Sequence, residues 1–139
     1  MNSKQYTELF QHAPDSWHLP LNKAMLEYGI TNNKREAAFL AMVAHHTDNL
    51  TSLENGAFPY REDDLPLISA AVSEHITHTN SSNPDVAFRV AAYLFKQADG
   101  NRLSDAGLTG AITVSIFGYE EVEAVRTLRN RIMTTLVQQ

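Results

Sequence analysis

Eight consecutive apolar residues, Ala37-Ala38-Phe39-Leu40-Ala41-Met42-Val43-Ala44, run without a break into the polar group His45-His46-Thr47-Asp48. A helix built from them has no polar face, so other elements must enclose it on every side. The run is far shorter than the ~20 residues that cross a bilayer, so the enclosing shell has to be protein. The polar end is then delivered to a surface or a cleft. Asn33 and Glu36 stand at capping-box spacing, with Thr31 and Asn32 as alternative caps. The pattern predicts a central helix over Asn33–Asp48.

The rest of the chain reads as the helical shell. Ser3 is placed to cap a short helix through Phe10, and Pro14 and Asp15 mark a loop. Pro20–Tyr28 carries Leu21, Met25 and Tyr28 on one face, with Gly29 as a stop signal. Asn49–Arg61 reads as loop, broken at Gly56 and Pro59. Asp63-Asp64-Leu65-Pro66 has the acidic and proline signature of a helix start, and Leu65, Ile68, Val72 and Ile76 keep a helical period. After a turn at Thr79–Asn83, Asn83-Pro84-Asp85 opens a helix that turns Val86, Val90, Leu94 and Ala98 inward, with Gly100 read as its terminator. Leu103–Gly118 holds two short helical pieces. Val114–Phe117 has strand character but is short and lacks a partner strand. Val122, Val125, Leu128, Ile132 and Leu136 form the stripe of a last helix over Glu120–Leu136. The expectation is an all-α single domain over residues 1–139, with six or seven helices around a buried central one.

Composition narrows the function. The chain has no cysteine, which excludes disulfides and thiolate metal sites. Its 16 acidic and 11 basic residues give a formal charge of −5, which weighs against a nucleic-acid partner. No apolar run spans a membrane, and Met1-Asn2-Ser3-Lys4-Gln5 lacks a signal-peptide core, so a cytoplasmic location is expected unless a holin or a dedicated secretion route exports the chain. No phosphate loop, dinucleotide fingerprint or Ser-His-Asp order is found, and no cofactor is expected.

His45 and His46 are adjacent, and adjacent helical side chains point ~100° apart, so they do not readily share a metal ion. His45 is expected as a hydrogen-bonded buried histidine and His46 as a cleft residue. His75 and His78, at i and i+3, read as an exposed pair near a helix C-terminus, with Glu74 a poor third ligand. No metal site is expected. Asp15, Asp48, Glu54, Glu62, Asp63 and Asp64 form either solvated loop charge or an anionic patch for a basic protein surface. Tyr60, Phe117 and Tyr119 are loop aromatics suited to binding, although Phe58 and Tyr60 could instead pack the loop down.

Several short motifs occur in an order that resembles glycoside hydrolase family 19, the chitinases and lysozyme-like endolysins of bacteria and phages. They are Pro20-Leu21-Asn22-Lys23-Ala24-Met25, Tyr28-Gly29-Ile30, Ala37-Ala38-Phe39-Leu40-Ala41 with Ala44-His45, then Ala91-Ala92-Tyr93-Leu94-Phe95-Lys96, Leu103-Ser104-Asp105-Ala106-Gly107 and Ala111-Ile112-Thr113. Arg126 falls where that family carries an arginine. The likeness covers roughly 10–55 and 84–135 and implies a trimmed lysozyme-like domain.

The departures lie where the chemistry would be. In such enzymes the buried helix ends Ala-His-Glu-Ser, and the glutamate is the general acid. Here His46 holds that place. The second carboxylate of the family aligns with Asn55, and Glu54 is one place short. Phe117 replaces the sugar-contacting asparagine and Tyr119 a glycine of the Ile-Asn-Gly-Gly motif, in whose place Ile116-Phe117-Gly118-Tyr119 stands. The long cleft-wall segment between Tyr60 and Asn83 is missing. Inversion at a glycoside needs an acid and a base carboxyl roughly 6.5–9.5 Å apart, and an imidazole is a poor substitute for the acid. The expectation is a non-catalytic relative with degenerate positions His46, Glu54 and Asn55. It would bind another macromolecule, a protein first, through His45, His46, Asp48, Glu54, Tyr60, Phe117 and Tyr119. The alternative is a surviving peptidoglycan or chitin hydrolase using Glu54 with His46, or a module that keeps only glycan binding.

Overall fold

The computed structural model describes residues 1–138 and is all-helical, with eight α-helices among the described residues. They are α1 (Ser3–Leu9), α2 (His18–Glu27), α3 (Asn33–Thr47), α4 (Leu65–Val72), α5 (Pro84–Gln97), α6 (Gly100–Asp105), α7 (Thr109–Ile116) and α8 (Val122–Val137). Single 3-10 turns at Asp15–Trp17, Glu62–Asp64 and Tyr119–Glu121 lead into α2, α4 and α8.

The enclosure of α3 is complete. Every residue from Ala37 to Ala44 is at most 2% exposed. Burying a large apolar side chain such as Phe39, Leu40 or Met42 is worth about 1.5–3 kcal/mol, so this one helix holds a large share of the driving force. It packs most extensively against α8, whose Val125, Ile132 and Leu136 point inward, while α2 packs on α5. Asn32 is the cap of α3, accepting a hydrogen bond from the Arg35 amide. The helix stops at Thr47 because Asp48, Asn49 and Leu50 all take left-handed backbone angles, with φ of 51°, 61° and 61°. The Thr47 hydroxyl stabilises that reversal by accepting from the Leu50 amide, and Leu50 is driven into the core.

Several boundaries differ from the sequence reading, each for a local reason. Asn2, rather than Ser3, caps α1 in a reciprocal box with Gln5. α2 starts at His18, two residues before Pro20, since proline is tolerated in a first turn. It ends in a Schellman motif, with Ile30 N–H on the Met25 carbonyl, Gly29 N–H on the Leu26 carbonyl and Gly29 at φ 71°. α4 ends at Val72, and a left-handed Ser73 turns the chain before Glu74, so His75 and His78 lie on a turn and not on a helix face. Ile76 keeps its core role without being helical. Gly100 is the first residue of α6 and not a terminator, and Asp99 before it takes the left-handed angle. Val114–Ile116 belongs to α7 and is not a strand.

The segment between Tyr60 and Asn83 has a small core of its own. Ile68, Val72 and Ile76 meet Val86 and Val90 of α5, flanked by Tyr60 and Tyr93. This packing fixes α4 and the Tyr60 loop to one side of α5. No helix among the described residues is long and apolar enough to cross a membrane.

Candidate functional site

The end of α3 meets the end of α7 and the 3-10 turn before α8. The His46 ring Nε2 lies 2.9 Å from the backbone carbonyl oxygen of Asn55. A carbonyl only accepts, so Nε2 must carry the proton and donate it. That proton is committed to holding the adjoining loop. Asn55 contributes its backbone, while its side chain is exposed. Glu54 also stands on the outer surface, and its amide is bonded to the Ser52 hydroxyl. Among the described residues its carboxylate has neither a hydrogen bond nor an ion pair.

His45 faces the other way, with Nε2 at 2.9 Å from Glu121 Oε2. The two rings therefore diverge to separate partners, as adjacent helical positions require. Among the described residues no group of three histidines and carboxylates is arranged to hold a metal ion. Asp48 is the exposed left-handed residue that closes α3.

Phe117 sits between the two histidines. Its ring centroid is 5.3 Å from His45, 6.2 Å from His46 and 5.9 Å from Phe58. Phe58 continues to Phe39 at 5.5 Å, and Phe39 to Phe95 at 5.4 Å. A file of aromatic rings thus runs from the core to the tip of α3, and Phe117 is its outer member. The sequence reading put Phe117 in a loop. It is the cap residue of α7, half-buried, with its ring engaged by the file. Tyr119 is the opposite case: 81% exposed on the turn before α8.

Beside this tip lies an open groove of about 620 Å³. Tyr60, Arg61 and Asp64 form one wall, and Leu94, Gln97 and Ser115 the other. Burial first, and the neighbouring Glu62 second, raise the Tyr60 hydroxyl above its usual pKa. Glu62, Asp63 and Asp64 make the rim acidic, while Asp15 lies on the α1–α2 connection beside Tyr6. Burial first, and Asp15 second, push the Tyr6 hydroxyl up to about 12.

Sequence reasoning missed three participants. Glu121 reads as an ordinary acidic helix start, and nothing local ties it to His45. Arg61 and Gln97 enter the groove only because α4 and α5 share their small core. The cluster offers hydrogen bonds, aromatic surface and acidic charge, with Glu121 the carboxylate bonded to His45. Comparison with family models, curated proteins and solved structures finds no match for the chain.

Proposed function

We propose that this chain is a non-catalytic, family 19-like protein that binds a basic protein surface, in the manner of an inhibitor or immunity protein. The observation that carries the reading is the hydrogen bond from His46 Nε2 to the Asn55 carbonyl. It commits the acid position to holding a loop. Bond cleavage would need a sheltered carboxylic acid opposite a second carboxylate, and exposed Glu54 does not meet that need. What remains on this face suits recognition. Tyr119 projects into solvent between the end of α7 and the acidic pair Glu120 and Glu121, and exposed aromatics are frequent anchors of protein interfaces. The acidic turn Glu62–Asp64 beside the Tyr60 groove extends the negative face.

A second reading rests on the groove itself, whose volume and hydroxyl and amide lining suit a short glycan. One set of experiments separates the two. Chitin oligosaccharides and peptidoglycan are incubated with the wild type and with Glu54→Gln, and released reducing ends are counted. No release is expected from either protein. Release that the substitution abolishes would overturn the proposal in favour of a hydrolase. Binding is then followed with Tyr119→Ala and Tyr60→Ala in a pull-down. Loss of an anchor is expected to weaken a retained protein partner about 30-fold, the equivalent of a 2 kcal/mol hot spot. Equal retention by wild type and variants sinks the assigned face, and saturable binding of chitin oligosaccharide in the groove favours the glycan reading.

A further inference from the structure

At the opposite end of α7 the chemistry is reversed. A cavity of about 480 Å³ is lined by Lys34, Arg126 and Arg129 together with Thr109, Gly110 and Asn130. Three cations meet in one recess of a chain whose formal charge is −5, and the recess has no carboxylate in its lining. Arg126 and Arg129 lie one turn apart on α8 and reach it together. The carboxylates nearby are engaged at the edges. Glu123 pairs with Arg126 at 2.9 Å on an exposed surface, and Asp105 is clamped by Arg35 and Asn32. Arg129 donates to its neighbour Asn130, while its Nε is shielded from solvent and has no acceptor among the described residues.

The backbone adds to this. α7 starts at Thr109, its first turn has no side-chain cap, and Gly110 in that turn lines the recess. Amides at a helix start carry partial positive charge and bind oxyanions, and guanidinium groups match the geometry of phosphate. Thr113 donates its hydroxyl to the Thr109 carbonyl, which leaves the Thr109 hydroxyl without a hydrogen bond among the described residues. The cavity falls within the roughly 300–1,000 Å³ of small-ligand sites, which leaves room beyond a single phosphate group.

We infer that this recess is a binding site for a small phosphorylated molecule, its phosphate held by Arg126, Arg129 and Lys34 against the start of α7. The site is independent of the face around His46 and Tyr119. The test uses the full chain and inorganic pyrophosphate as probe, with orthophosphate, sulfate and chloride at matched ionic strength, followed by amide NMR shifts and calorimetry. Saturable pyrophosphate binding is expected, with the largest shifts at Thr109, Gly110 and Arg129 and none from chloride. Arg126→Gln and Lys34→Gln, both at exposed positions that leave the fold intact, are each expected to weaken it several-fold, and Arg129→Gln about tenfold. Lys23→Gln on α2 is the control and is expected to change nothing. The inference is overturned if pyrophosphate shifts are spread over the basic residues of the whole surface, or if Arg126→Gln and Lys34→Gln bind as the wild type does. It is also overturned if a single-stranded oligonucleotide binds while pyrophosphate does not, which would mark a polyanion surface.

Discussion

Gly100→Ala is expected to be among the most damaging single-methyl changes in this fold. A Cβ built at Gly100 would lie 2.6 Å from Cδ2, Cε2 and the carbonyl oxygen of Phe95. Ordinary carbon contacts are about 3.5–4.0 Å, so roughly 1 Å of movement is required. The Phe95 ring cannot supply it. It is fully buried and edge-on to Phe39, which is itself packed at a tilt against Phe58. The carbonyl belongs to α5 and cannot rotate away without breaking the helix. Overpacking of a core costs about 1–3 kcal/mol, and two rigid partners place this site at the upper end. Alanine recovers up to about 1 kcal/mol of helix propensity, less at a first helical residue. The net loss is about 2–3 kcal/mol, or a fall in melting temperature of roughly 6–15 °C for a domain of this size. Urea and thermal unfolding followed by circular dichroism would measure it. Gly107→Ala is the internal comparison, because its Cβ meets open space and only φ 76° opposes it, a penalty of about 1–2 kcal/mol. The reasoning is refuted if Gly100→Ala melts within about 2 °C of the wild type, or if Gly107→Ala proves the more destabilising.

Other outcomes follow from the site. Phe117→Ala removes the outer ring of the aromatic file and is expected to cost about 2 kcal/mol, given that Phe117 is only half-buried. Urea unfolding checks the cost, and faster modification of His46 by diethyl pyrocarbonate checks the opening. His46→Glu replaces a donor with an acceptor facing the Asn55 carbonyl. It is expected to lose about 1 kcal/mol and to gain no release of reducing ends, whereas gained hydrolysis would show that the imidazole alone blocks catalysis. Asp105 has its carboxyl pulled from 3.8 to about 2, first by the Arg35 hydrogen bonds and then by Asn32. Its folded value is the lower one, so its contribution is full above the ordinary carboxylate value and disappears as pH falls through about 2. Carboxyl NMR titration is expected to show that midpoint, and Arg35→Gln to move it back up.

The central helix is legible because an apolar run leaves no choice of exposed face, but its cap is not: Asn33 has the capping-box spacing with Glu36, and the structure uses Asn32, which the sequence offers only as an alternative beside Thr31. The helix start at Asn83-Pro84-Asp85 is legible because a short polar side chain before a helix satisfies its free amides. Gly29 was read correctly as a stop for the same reason that Gly100 was misread. Glycine signals either a positive φ or a close approach, and sequence does not say which. At Gly29 it is the angle, and at Gly100 it is the Phe95 carbonyl. The period that Ile76 shares with Ile68 and Val72 predicts a helix that would carry His75 and His78. A left-handed Ser73 breaks the helix while leaving Ile76 buried, so the apolar pattern survives without the helix. In the candidate site, the divergence of His45 and His46 followed from helix geometry, but their partners did not. Glu121 and the Asn55 carbonyl are brought there by the packing of α8 and by the turn after α3, which no local pattern encodes.

The turn after α3 fixes where the chain leaves the core. Three successive non-glycine residues in left-handed angles are rare, and each costs about 1–2 kcal/mol, less for Asp48 and Asn49 than for Leu50. The buried Leu50 side chain and the Thr47 hydroxyl hold them, and Arg131 on α8 bonds Asn49. The chain therefore leaves the core at a fixed point and in a fixed direction, whatever follows. Beyond the Thr51 hydroxyl, which bonds back to the Thr47 and Asp48 carbonyls, an exposed residue such as Glu54 can be exchanged, and the loop lengthened, at little expense to the frame. Specificity on this face can then drift quickly while the scaffold stands still, and a grafted loop inserted after Thr51 should inherit the scaffold's stability.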